Sequence, residues 1–87
     1  MNYVYILKSC IDHKNYIGST NDLRRRFSEH QKGLVQSTKS RRPFKLIYYE
    51  AYESLDLARK REHSLKLKGK AYAQLYKRLN CNHENSQ

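Results

Sequence analysis

Two stretches rich in aromatic and β-branched residues, Tyr3–Ser9 (YVYILKS) and Tyr16–Ser19 (YIGS), flank a polar turn, Ile11–Asn15 (IDHKN). Such runs read as strands, and so short a connection joins them only as an antiparallel hairpin. A chain of 87 residues that begins this way holds one domain and has no room for a parallel βαβ layout. The remaining pattern is helical with one interruption. Thr20 or Asn21 caps a first helix that ends near Lys32-Gly33, with Leu23 and Phe27 as its apolar marks. Leu34–Pro43 is a basic loop, and Lys45–Glu53 (KLIYYEAYE) is a third strand. Ser54 caps a second helix running to about Lys68, before Gly69. A third helix, Ala71–Leu79, carries the stripe Ala71, Tyr72, Leu75, Tyr76 and Leu79. The order is ββαβαα and the class is α+β. Residues 1–79 form the single domain, and 80–87 form a polar, frayed tail.

Charge narrows the partners. Eighteen Lys and Arg against eight Asp and Glu leave a net charge of +10. That excess points to nucleic acid ahead of a membrane surface or an acidic protein. No apolar run approaches the roughly 18–20 residues of a membrane span. The N-terminus shows no basic n-region and no small-residue cleavage site, so a signal peptide is not expected. Cys10 and Cys81 are too few for a disulfide scaffold, and no CxxC suggests zinc. Cys10 is expected to be buried and Cys81 exposed in the tail, in a reducing cytoplasm.

Three features break the plain pattern. In the second helix Leu55, Ala58, Leu65 and Gly69 share one face, and Glu62 falls in the middle of it. A carboxylate there must be paired, metal-bound or at the edge of a cleft. A salt bridge to an arginine at the core edge is one reading, and a metal-ligating or acid–base group is the other. In the first helix Arg26 shares a face with His30, an arrangement that serves either as a solvated basic surface or as a phosphate clamp. Tyrosine is the third anomaly, with eight Tyr against two Phe and no Trp. An even-length turn puts Tyr5 and Tyr16 on one face, whereas an odd-length turn separates them.

Tyr3-Val4-Tyr5, ten residues, then Tyr16-Ile17-Gly18 resembles the paired motif of the GIY-YIG nuclease superfamily, with Tyr3 where the first glycine would stand. The likeness continues through Ser19–Leu23, the helix Arg24–His30, the loop Ser40–Pro43 and Arg61–Lys66, covering about residues 3–70. The chain is most similar to the small standalone bacterial members related to the excinuclease C-subunit N-terminal domain. The resemblance implies a three-stranded antiparallel sheet flanked by helices. It also implies an endonuclease that hydrolyses DNA phosphodiester bonds with a single Mg²⁺ or Mn²⁺ ion. On this likeness Tyr5 and Tyr16 orient or deprotonate the attacking water, and Gly18 allows close backbone approach. Arg26 binds the phosphate, His30 lies one turn on, and Glu62 is the protein's metal ligand.

Hydrolysis needs a nucleophile, charge stabilisation on the phosphate and help for the leaving oxygen. One carboxylate, with waters and substrate phosphate, suits Mg²⁺. A phenol is a poor base at its reference value of about 10. His30 therefore competes with Tyr5 and Tyr16 as the general base. Backbone contacts are expected from Lys39, Arg41, Arg42, Lys66, Lys68 and Lys70, in a monomer. Glu62 and Arg26 are expected to approach each other across a concave face shared with Tyr5 and Tyr16. The alternatives are a non-catalytic protein that binds DNA or structured RNA, and a small interaction protein.

Overall fold

A computed structural model describes the backbone of residues 1–85 and the side chains of residues 1–79. Strands β1 (Asn2–Ser9), β2 (Asn15–Thr20) and β3 (Phe44–Tyr52) form one antiparallel sheet in the order β2-β1-β3. Helices α1 (Leu23–Gln31), α2 (Leu55–Lys66) and α3 (Lys70–Asn85) flank it, with a 3-10 turn at Lys39–Arg41 ahead of β3. The α+β class and the ββαβαα order expected from the sequence are those observed.

The central strand organises both layers. Val4, Tyr5, Ile6 and Leu7 are all buried, because β1 is covered on both faces. Alternation sends Val4 and Ile6 to one face and Tyr5 and Leu7 to the other. Val4 and Ile6 pack with Ile17, Ala58 of α2, Leu65 of α2 and Leu75 of α3. Tyr5 and Leu7 pack with Phe44 and with Tyr16, Leu23 and Phe27, the last two on α1. The sheet is thus sandwiched, with α1 on one side and α2 and α3 on the other.

The hairpin turn is the even-length alternative. Lys8 faces Asn15, Leu7 faces Tyr16 and Tyr5 faces Gly18. Cross-strand partners share a face, so Tyr5 and Tyr16 lie on the same side. Ser9 holds the turn: its Oγ accepts from the N–H groups of Ile11 and Asp12 and donates to the Arg41 carbonyl at 2.6 Å. On the other edge, β3 slips register between Ile6 and Leu7, where Ile6 faces Tyr48 and Leu7 faces Leu46. The slip is a bulge that places Ile47 and Tyr48 together against the α2/α3 core.

Several local expectations change. The cap of α1 is Asp22, whose carboxylate accepts from the Arg25 N–H at 3.0 Å, while Thr20 supports the turn by accepting from the Asp22 N–H. Ser54 caps α2 as expected, and that helix closes at Lys66, short of Lys68. Helix α3 runs past the expected boundary at residue 79 to Asn85, so the segment read as frayed is helical that far. Residues 86–87 of that tail, and the Cys81 side chain, lie outside the described residues. Cys10 is exposed, not buried, because it sits in the hairpin turn just past β1.

One polar cluster ties β3 to α2. The Glu50 carboxylate accepts from the Tyr48 hydroxyl at 2.5 Å, the Tyr52 hydroxyl at 2.6 Å and two Arg61 nitrogens at 2.9 Å each. Burial pushes this carboxyl up, but the bonds from Arg61, Tyr48 and Tyr52 prevail and hold it below the ordinary range. Its stabilisation is therefore complete above the unfolded carboxyl's value and is lost as pH falls through the lower folded value. Glu50→Gln should cost about 2 kcal/mol in urea unfolding at neutral pH, the scale of hydrogen bonds to a charged group. The variant should also lose less stability on acidification than the parent chain. Equal stability of the two at neutral pH would show that this cluster contributes nothing.

Candidate active site

The α1 face of the sheet holds four of the residues singled out by sequence. Tyr5 projects from β1, Tyr16 from β2, and Arg26 and His30 from α1. The Tyr5 hydroxyl lies 2.9 Å from His30 Nε2, and His30 Nδ1 lies 2.8 Å from Thr38 Oγ1. Thr38 Oγ1 in turn donates to the Val35 carbonyl at 3.4 Å. With its proton committed there, Thr38 accepts from Nδ1–H, which leaves Nε2 to accept from the Tyr5 hydroxyl. Tyr16 packs edge-on against the imidazole at 5.1 Å between ring centroids, and Tyr5 does so at 5.8 Å.

Gly18 makes the arrangement possible. A Cβ at that position would lie 2.5 Å from the Tyr5 hydroxyl and 3.1 Å from Tyr16 Cε2. The Tyr5 ring therefore lies across β2 in the space any side chain at position 18 would occupy.

Burial sets the protonation states. Burial pushes the Tyr5 phenol up to about 12, although Arg26 beside it pulls the other way. His30 is fully buried, and burial together with the Arg26 charge lowers it to about 4. The imidazole is therefore neutral at physiological pH, and both its nitrogens are engaged. The Tyr16 side chain, by contrast, is half-buried, and its hydroxyl has no protein partner among the described residues. Arg26 pairs with Glu29 at 3.0 Å and stays partly exposed, with its guanidinium beside Tyr5.

Glu62 reaches the same edge strand from the other layer. Its Oε1 accepts from Ser19 Oγ at 2.5 Å, and its Oε2 meets Lys66 Nζ at 2.6 Å. Burial pushes the Glu62 carboxyl up, but Lys66 and Ser19 prevail and keep it ionised. The arginine pair considered for Glu62 is a lysine pair here, and no ion pair joins Glu62 to Arg26: Arg26 meets Glu29, and Glu62 meets Lys66. Among the described residues no three His, Cys, Asp or Glu side chains converge, so any metal here has few protein ligands. A lone oxygen donor of this kind fits Mg²⁺ or Mn²⁺, and the Lys66 ammonium already occupies the position of a cation on Oε2.

The basic residues divide. Lys39, Arg42 and Lys70 are exposed. Arg41 is not free for phosphate: it pairs with Asp12 at 2.8 Å, donates to the Lys14 carbonyl and covers the Phe44 ring. Lys66 is engaged by Glu62, and Lys68 lies over the Tyr72 ring on the α3 side. Sequence reasoning missed Thr38, Ser19 and Glu29. Ser19 was legible as the residue beside Gly18, whereas nothing in the basic loop marked Thr38 as a partner of His30.

The sequence model of the GIY-YIG catalytic domain matches residues 1–82. The chain belongs to the GIY-YIG family. Among similar proteins, a UPF0213 protein of Clostridium perfringens is 45% identical over 67 residues, covering 76% of this chain and 71% of that one. A UPF0213 protein of Syntrophus aciditrophicus is 43% identical over 72 residues, covering 80% and 82%. The solution NMR structure of a UPF0213 protein from Bacillus halodurans superposes with a TM-score of 0.56 at 33% identity, covering 91% of this chain and 85% of that one. This GIY-YIG chain is thus similar to small standalone family members. Membership implies a nuclease-type activity in general and a nucleic acid substrate. Among the described residues no helix is long and apolar enough to cross a membrane.

The buried chain from Tyr5 to Thr38 generates two expectations. In a pH titration followed by NMR, the His30 ring should stay neutral from pH 8 to pH 5 and gain its proton near pH 4. Because the unfolded imidazole binds a proton first, His30 makes stability fall as pH drops from about 6.5 toward the folded value. A His30 ring that is cationic at pH 6 would contradict the hydrogen-bond order assigned above. Gly18→Ala should displace the Tyr5 ring and cost about 1–3 kcal/mol, the range for overpacking a filled site.

Proposed function

We propose that this protein is a metal-dependent endonuclease that hydrolyses DNA phosphodiester bonds. The observation that carries the reading is the meeting of both layers at β2: Tyr16 stands on it against His30, and Glu62 from α2 bonds Ser19 of the same strand. A protein that only binds phosphate has no use for a carboxylate held ionised beside its cationic groups.

Each residue then has a distinct task. Arg26 holds a non-bridging phosphate oxygen, using the part of its guanidinium that Glu29 leaves free. Tyr16 meets the attacking water, since its side chain is only half-buried and its hydroxyl has no partner among the described residues. Tyr5 remains protonated and, with His30 and Thr38 behind it, fixes the wall against which Tyr16 packs. His30 is a positioning residue, because burial removes it from water. Glu62 holds a single Mg²⁺ or Mn²⁺ once Lys66 turns away, which its long and half-exposed side chain permits. The ion, when bound, supplies positive charge to the phosphate and the leaving oxygen. Lys39, Arg42 and Lys70 add backbone contacts that position the strand without reading its sequence.

Cleavage of duplex, flap, junction and single-stranded DNA with Mg²⁺ or Mn²⁺ tests the assignment. Glu62→Gln should abolish cleavage while affinity stays equal or rises, because a repulsion with phosphate is removed. Arg26→Ala should lose cleavage and part of the affinity, since a guanidinium clamp also holds the ground state. Tyr16→Phe should lower kcat at least 100-fold, the usual worth of a positioned base, with KM little changed. Undiminished cleavage by Glu62→Gln would reject the catalytic assignment and leave a protein that binds nucleic acid without cutting it.

A further inference from the structure

One recess lies away from Tyr5 and His30. It is a groove of about 970 Å³ on the other face of the sheet, between the hairpin-turn end of the strands and α3. Its floor is a cross-strand row. Lys8 on β1 faces Asn15 on β2 and Lys45 on β3. Two lysines directly opposite in a ladder repel each other. Lys14 and Lys68 line it too, and among the described residues no carboxylate lines the groove and none of the four lysines has an ion-pair partner.

The wall is aromatic. Tyr72 and Tyr76 of α3 stack with ring centroids 5.8 Å apart and 12° between planes. Asn15 donates to the Tyr72 hydroxyl at 3.3 Å, which ties the stack to β2. Lys68 caps the Tyr72 ring at 5.8 Å. The outer ring, Tyr76, is 45% exposed, so the stack ends on an aromatic surface open to the groove.

We propose that this groove is a second nucleic-acid site, separate from the Tyr5–His30 face, and that it takes an unpaired strand. Phosphates in the groove neutralise Lys8 and Lys45 together and remove their repulsion. A base continues the Tyr72–Tyr76 stack. That last contact selects single strands, because a duplex keeps its base faces inside. An acidic peptide satisfies the lysines but leaves the tyrosines unused.

Binding in the absence of metal tests this independently of any cleavage. The probe is a fluorescein-labelled oligothymidylate of about ten nucleotides, within the site sizes usual for one small domain. Tyr76→Ala should weaken binding about tenfold, while Tyr76→Phe should restore parental affinity. The double variant Lys8→Gln/Lys45→Gln should bind more weakly and lower the salt slope by about 1.4, the share of two phosphates on a single strand. Both changes lie on exposed side chains, so the fold survives them. Affinity for a blunt duplex should not move with Tyr76→Ala. Parental affinity in both groove variants overturns the proposal. So does an equal loss for duplex and single strand, or failure of the parent chain to hold the oligonucleotide.

Discussion

Everything in this fold depends on a strand with no solvent face. β1 is paired on both edges and covered on both sides, so each of Val4 to Leu7 is committed to one of two cores. That constraint demands helices in two layers, and it explains how a short chain keeps two clusters of buried side chains. It also explains where chemistry can be placed. Tyr5 is a core residue by position and a partner of His30 by its hydroxyl. The same burial that fixes its ring raises its phenol and neutralises His30, while Tyr16 beside them stays half-buried.

Charges at the site are held in local pairs. Arg26 leans on Glu29 within α1, and Glu62 leans on Lys66 within α2, each about one helical turn away. These pairs lie near the surface and are worth little in isolation. Their effect is to store charge in place without fixing it irrevocably. On the proposed reading, a phosphate competes with Glu29 for Arg26, and a divalent cation competes with Lys66 for Glu62.

Much of this was legible in the sequence, for identifiable reasons. The hairpin, the third strand and all three helices follow from period-2 and period-3.6 patterns, and Ser54 announced its helix by capping chemistry. Glu62 stood out because a carboxylate interrupts an apolar stripe. What escaped notice depends on contacts far apart in the chain. Thr38 meets His30 only because the basic loop folds back over α1, and Arg41 is consumed by Asp12 across 29 residues of sequence. The lysine row of Lys8 and Lys45 needs the exact strand register, including the bulge at Ile47. The helix cap moved to Asp22 because Thr20 spends its hydroxyl on the turn before it.

The space claimed by the Tyr5 ring over Gly18 separates two things that a motif match tends to merge. Position 18 answers to packing, so a relative that had lost all turnover would still need its glycine to fold this way. Glu62 answers to no such demand, since Ser19 and Lys66 could find water as readily. The glycine of the motif thus reports the geometry of a tyrosine wall, whereas Glu62 stands on the solvent edge of α2, where its replacement would leave the buried Ala58 and Leu65 of that helix in place.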